Sequence, residues 1–126
     1  MLAGPRAGRV LQSEQSQKFP RHRRLRQRQE FVAAFKARRL TSSWVVVYAR
    51  KKPGGLSRLG IAISKKAIPS AASRNFAKRL VREEFRIRFP VAMPVDVVVQ
   101  VRHPINPGSA IEGRQTLRRL LQTIYE

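Results

Sequence analysis

WVVVYARKKPGGLSRLGIAISKK, residues 44–66, decides the architecture. Its first seven residues are mostly β-branched or aromatic, and such side chains suit a pleated, half-buried surface. On a strand over 44–50, Trp44, Val46, Tyr48 and Arg50 point one way while Val45, Val47 and Ala49 point the other. KKPGG, 51–55, is a turn. A second strand over 58–65 puts Leu59, Ile61 and Ile63 on a bulky face and Gly60, Ala62 and Ser64 on a face of small residues. The short link between the two strands predicts an antiparallel hairpin.

Upstream, alanines at 33, 34 and 37 favour a helix over residues 26–39, with Phe31 and Phe35 one turn apart and Arg24, Arg28 and Arg38 along the same stripe. Downstream, residues 71–89 read as a helix ended by Pro90, with Ser73 as its N-cap. Arg74, Lys78, Arg79, Arg82 and Arg86 fill one arc of that helix around Asn75, and Phe76, Ala77, Leu80, Val81 and Ile87 occupy the opposite side. Phe85 does not fit this division, since it falls between Arg74 and Lys78. DVVVQVR, 96–102, is a third strand. SAIE at 109–112 has capping-box spacing and opens a last helix with Leu117, Leu120, Leu121 and Ile124 as its apolar stripe. The order α-β-β-α-β-α predicts a single small α+β domain over 19–126, its helices packed on a small, mainly antiparallel sheet. Residues 1–18 are polar and aperiodic and read as a disordered tail.

Charge narrows the function. Twenty-seven Lys and Arg face seven acids, a formal +20. Self-repulsion of this size opposes compaction unless a polyanion neutralises it. Neither a lipidation signal nor a long apolar run is present, so nucleic acid is favoured over a membrane and the cytoplasm is the expected location. With no cysteine, disulfides and thiolate metal sites are excluded. The seven acids are scattered, and the adjacent Glu83 and Glu84 diverge by about 100° on a helix. His22 and His103 have no paired carboxylate or third ligand in spacing. No catalytic residue and no metal site is predicted.

Three stretches together resemble the bacterial ribonuclease P protein family: FPRHRRLRQRQEFVAAFKARR at 19–39, RLGIAISKK at 58–66 and SRNFAKRLVREEFR at 73–86. The last is similar to the family's Arg-Asn-Arg signature helix, although Phe76 stands at the third position. An aspartate opening the valine-rich strand at 96–102 adds to the resemblance. The family implies a left-handed β-α-β crossover, a ribonuclease P RNA that carries the chemistry with Mg²⁺ held mainly by that RNA, and precursor tRNA as substrate. It identifies no protein partner. The chain would then be a non-catalytic subunit of an endoribonuclease in tRNA 5′-leader removal.

Two surfaces follow. Arg74, Asn75, Lys78, Arg79, Arg82 and Arg86 form a ladder suited to a folded RNA backbone, arginine forks pairing with phosphate oxygens and Asn75 reaching a base edge or 2′-hydroxyl. The resemblance assigns this ladder to the catalytic RNA. A solvated face paired with Glu83 and Glu84 is the bland reading, but two acids do not neutralise the cations at 66, 74, 78, 79, 82, 86 and 88. Phe31, Phe35 and Tyr48 beside Ala62 and Ser64, with Lys65 and Lys66 at the strand's end, have the aromatic-plus-cation character of single-strand binding sites. A phenylalanine pair in an amphipathic helix is as often core; the resemblance assigns this cleft to the 5′ leader of precursor tRNA. Arg21, Arg23 and Arg24 are expected as further phosphate contacts. The rival readings are a structural RNA-binding protein of the ribosomal type and a DNA-binding protein, the latter without a helix-turn-helix or dimer signature.

Overall fold

The computed structural model describes residues 20–125, so the expected N-terminal tail lies outside the described residues. A single 3₁₀ turn, Arg21–Arg23, leads into α1, Arg28–Phe35. Then come β1, Arg38–Thr41; β2, Val45–Lys51; β3, Arg58–Ile63; α2, Ala71–Arg88; β4, Val95–Val101; and α3, Ala110–Tyr125. The four strands form one mixed sheet in the order β1-β2-β4-β3.

The expected hairpin is not formed. β4 lies between β2, to which it runs antiparallel, and β3, to which it runs parallel. Burial explains the insertion: Val97, Val98 and Val99 are fully buried, which a strand apolar on both faces achieves only in the interior of a sheet. Residues 52–57 then need only bridge the roughly 10 Å across one intervening strand. β3 and β4 are joined through α2, and β1 is an additional edge strand antiparallel to β2. The first helix is therefore shorter than its alanines suggested, and Arg38, expected on its stripe, pairs across from Ala49 in the sheet.

Each sheet face carries its own core. Val45, Val47, Ala49, Leu59, Val97 and Val99 pack under α2 and α3. Val46, Tyr48 and Val98 pack with Leu25 and Ala34 under α1. Trp44, expected beside Val46 and Tyr48, precedes the strand and belongs to the first core, its indole N–H donating to the Gly113 carbonyl at 3.3 Å.

Local chemistry sets the helix ends. Ser70, in extended conformation, caps α2 by accepting from the Ser73 N–H, so the cap lies three residues before the expected Ser73. At the other end Phe89 is extended, as the residue before a proline prefers. The last helix is entered through a 3₁₀ turn, Pro107–Ser109, whose capping box joins Asn106 to Ser109 rather than Ser109 to Glu112. Phe85 stacks on Phe89 with ring centroids 4.8 Å apart and is fully buried, whereas Ile87 is 60% exposed. The buried stripe of α2 is Ala77, Leu80, Val81, Glu84 and Phe85, the i, i+3, i+4, i+7, i+8 pattern of a packed face. Phe85 is its edge and Ile87 lies outside it.

Candidate nucleic-acid interface

The same stripe settles which cations face outward. Asn75 and Arg79 are exposed, and Lys78, Arg82 and Arg86 half-buried, on the flank away from the core. Arg74 lies nearer the buried stripe and donates through Nη1 to the carbonyls of Ile68 and Pro69, each at 2.8 Å. It therefore ties the loop before α2 to the helix. Phe76, in the place of the signature arginine, packs against the main core and leaves the cationic flank intact.

The two acids of α2 do not serve this flank. Glu83 accepts from Arg114 at 2.7 Å. Glu84, almost fully buried, takes Arg114, Arg118 and Arg88 at 3.2–3.3 Å. Both carboxylates thus clamp α2 to α3. Burial, and then the positive charge of Arg24, lower the pKa of Arg82, as expected where cations are crowded.

Arg24 comes from the N-terminal segment, which runs along the outer edge of β3: Arg24 bridges to Leu59, and the Leu25 N–H donates to the Leu59 carbonyl at 2.8 Å. Arg23, expected as a phosphate contact, is instead 5% exposed. Its Nε donates to the Ser57 carbonyl at 2.9 Å, Nη2 to the Ser57 hydroxyl, and its guanidinium lies 5.4 Å from the Phe85 ring centroid. A buried arginine must be paired and hydrogen-bonded, and here it pins the segment to the domain. Arg21 and His22 remain exposed.

On the opposite sheet face the strand register builds three successive rows. Arg50, Asp96 and Arg58 form the first; Arg39, Tyr48, Val98 and Gly60 the second; Thr41, Val46, Gln100 and Ala62 the third. Helix α1 covers the first two. Glu30 pairs with Arg58 at 2.9 Å, Phe35 meets Tyr48 edge-to-face at 4.8 Å, and Phe31 rests on Gly60. A Cβ at Gly60 would come within 2.7 Å of the Phe31 ring, so the glycine lets the helix approach the sheet. Gly60 is therefore covered rather than an open floor, and Phe31 is half core. Phe35 is 37% exposed.

Beyond α1 the sheet opens into a groove of about 730 Å³ lined by Ala62, Ser64, Gln100, Arg102 and His103 among others. Ser64 also accepts the Ala67 N–H at 3.0 Å, closing the turn that exposes Lys65 and Lys66. Sequence reasoning missed Gln100 and Arg102 here. The signal was available for Gln100, a polar residue inside a valine run, but its meaning depended on which strands flank it.

Asp96 anchors the closed end. Fully buried, it receives two Arg58 hydrogen bonds at 3.0 Å and Lys52 Nζ at 2.9 Å. Burial alone would raise its pKa, but the hydrogen bonds and charges of Arg58 and Lys52 prevail and lower it. Glu30 behaves alike: burial raises, while hydrogen bonds from the Gln27 and Arg26 N–H groups and the charge of Arg58 bring the net shift downward. A depressed carboxylate contributes stability that is present above its unfolded pKa and lost as pH falls through the folded one. Thermal melts followed by circular dichroism should therefore drop in midpoint as the pH is taken below about 4, and Asp96→Asn should flatten that dependence.

Among the described residues no three His, Asp or Glu side chains come together as a metal site. Asp96, Glu30, Glu83 and Glu84 are each occupied by arginine or lysine, so they do not fit a divalent cation. No helix among the described residues is long and apolar enough to cross a membrane.

A mixed sheet clad on both faces, with a polycationic helix on one side and a half-covered groove on the other, defines a small, strongly basic α+β protein. The Ribonuclease P family model matches residues 19–125, and the chain belongs to that family. It is 41% identical over 103 residues to the ribonuclease P protein component of Methylococcus capsulatus, covering 81% of this chain and 78% of that one. With the component from Thioalkalivibrio sulfidiphilus it shares 38% over 104 residues, covering 82% and 87%. The solved RNase P protein of Thermotoga maritima matches with a TM-score of 0.62 at 33% identity, over 79% of this chain and 96% of that one. A Staphylococcus aureus RNase P protein mutant matches with a TM-score of 0.68 over 82% and 89%, and at 24% identity bears on the fold alone.

Proposed function

We propose that this chain binds the catalytic RNA of ribonuclease P through α2 and the 5′ leader of precursor tRNA through the groove beside α1, so promoting endonucleolytic removal of the leader. The observation that carries this reading is the separation of the two surfaces: the sheet lies between them. One RNA can be gripped while the other face stays open to a second strand. Asn75, Lys78, Arg79, Arg82 and Arg86 supply the first surface, with Arg24 extending it. Phe35, Tyr48, Ala62, Ser64, Lys65, Lys66 and Arg102 supply the second, Phe31 setting its wall. The chemistry belongs to the RNA subunit, which holds Mg²⁺; this chain contributes affinity and position.

Filter binding tests it. In complex with ribonuclease P RNA, the protein should hold precursor tRNA more tightly than mature tRNA; equal affinity for both would instead favour a purely structural RNA-binding role. Phe35→Ala is the discriminating variant. Its loss should cost about 1–3 kcal/mol of leader affinity if a base stacks there. Losing the edge-to-face contact with Tyr48 adds about 0.5–1.5 kcal/mol to the cost of the lost burial, so a thermal melt is the control, and affinity of the folded variant for the large RNA should not change. Phe31→Ala removes wall and core together and should lower both leader affinity and thermal stability.

A further inference from the structure

Along β4, Asp96, Val98 and Gln100 point to the α1 side in succession. Ion pairs consume the first, α1 buries the second, and the third is half exposed on the groove wall. Packing does not account for an amide here. The next residue on this side of its own strand, Val98, is fully buried, and its cross-strand partners are Val46 and Ala62. A partly buried amide with an unsatisfied polar atom carries a desolvation penalty that an aliphatic residue would avoid.

Its geometry is defined. The Tyr48 hydroxyl donates to Gln100 Oε1 at 3.2 Å, and Tyr48, 8% exposed and braced by Phe35, has little freedom to move. With Oε1 held, Nε2 is directed away from Tyr48, and no described residue accepts from it. Two N–H donors are left for whatever enters the groove, whose volume of about 730 Å³ falls within the roughly 300–1,000 Å³ of small-ligand pockets.

We propose that Gln100 is a base-reading residue: its amide N–H groups donate to an acceptor atom on one unpaired nucleotide of the leader, and Tyr48 is the positioning residue that keeps the amide donor outward. The inference rests on the groove being the leader's path. The cations around it meet phosphates and are indifferent to sequence, whereas a fixed donor on a base edge is not.

The test uses the protein reconstituted with ribonuclease P RNA and a set of precursor tRNAs carrying each of the four bases at each leader position, with affinities from filter binding. The wild type should favour one base at one position by roughly 3- to 10-fold, the worth of one net hydrogen bond. Gln100→Leu, which suits a central strand, should abolish that preference while leaving affinity for leaderless tRNA unchanged. Gln100→Glu presents lone pairs where the amide presented hydrogens and should move the preference toward a base offering an amine. Tyr48→Phe, lacking the orienting hydroxyl, should weaken the preference. A preference that survives Gln100→Leu overturns the proposal. So does a wild type that binds the leader with no preference at any position, an outcome that leaves the groove itself intact. Absence of any leader-dependent affinity removes the groove reading and this proposal with it.

Discussion

Replacing Lys78, Arg79, Arg82 and Arg86 together with glutamine should make the dependence of log affinity on log salt for ribonuclease P RNA shallower by about 3. Each phosphate contact contributes about 0.7–0.9 to that slope through counterion release. The four side chains are the right ones because the fold makes no polar use of them. None makes an ion pair or a hydrogen bond with a described side chain, and the two acids of their helix are turned toward α3. Thermal stability should stay level or rise slightly, since Arg82 is crowded by Arg24. Filter binding over a salt series, with a circular dichroism melt as control, checks both halves. An unchanged slope would mean that this flank is only solvated. Arg74 is a poorer probe, because its bonds to Ile68 and Pro69 mix loop geometry with charge.

The second large effect is on stability. Asp96→Ala should lower the unfolding free energy by about 3–5 kcal/mol, the loss seen when one partner of a buried ion pair is removed. Arg58 and Lys52 would keep their charges around an empty centre, with Arg50 3.7 Å from the lost carboxylate oxygen. Domains of this kind are stable by about 5–15 kcal/mol in all, so the variant should sit near the edge of folding. Urea unfolding measures the loss directly. A loss below about 1 kcal/mol would show that solvent readily replaces the carboxylate. Because ligands that bind only the folded chain stabilise it by mass action, added ribonuclease P RNA should recover part of the midpoint.

Much of the fold is legible in the sequence. The strands around Val47, Ile61 and Val98, the long basic helix and the apolar stripe of α3 all follow from period and propensity, which act locally. Alternation along a strand fixes which side chains share a side, but that Phe35 meets Tyr48 rests on the family resemblance, since a phenylalanine pair one turn apart is as often core. Strand order was not legible. Proximity in sequence favours a hairpin, and only the two-sided burial of β4 against its neighbours reverses that. Arg23 was misjudged for a related reason, and the structural tie made by Arg74 went unseen: an arginine in a basic run looks like its neighbours until a Ser57 carbonyl or an Ile68 carbonyl is found within reach. On α2, a small angular error placed Phe85 among the cations and Ile87 in the core.

The place of β4 in the sheet has a consequence for how the molecule is made. The strand on which both β2 and β3 depend is the last of the four to leave the ribosome. Until residue 101 has emerged, β1 and β2 are an isolated ribbon, which is marginal in water, and β3 lacks its partner. Closure of this sheet therefore waits for the last of its strands, and completion of the main core for the helix that follows it.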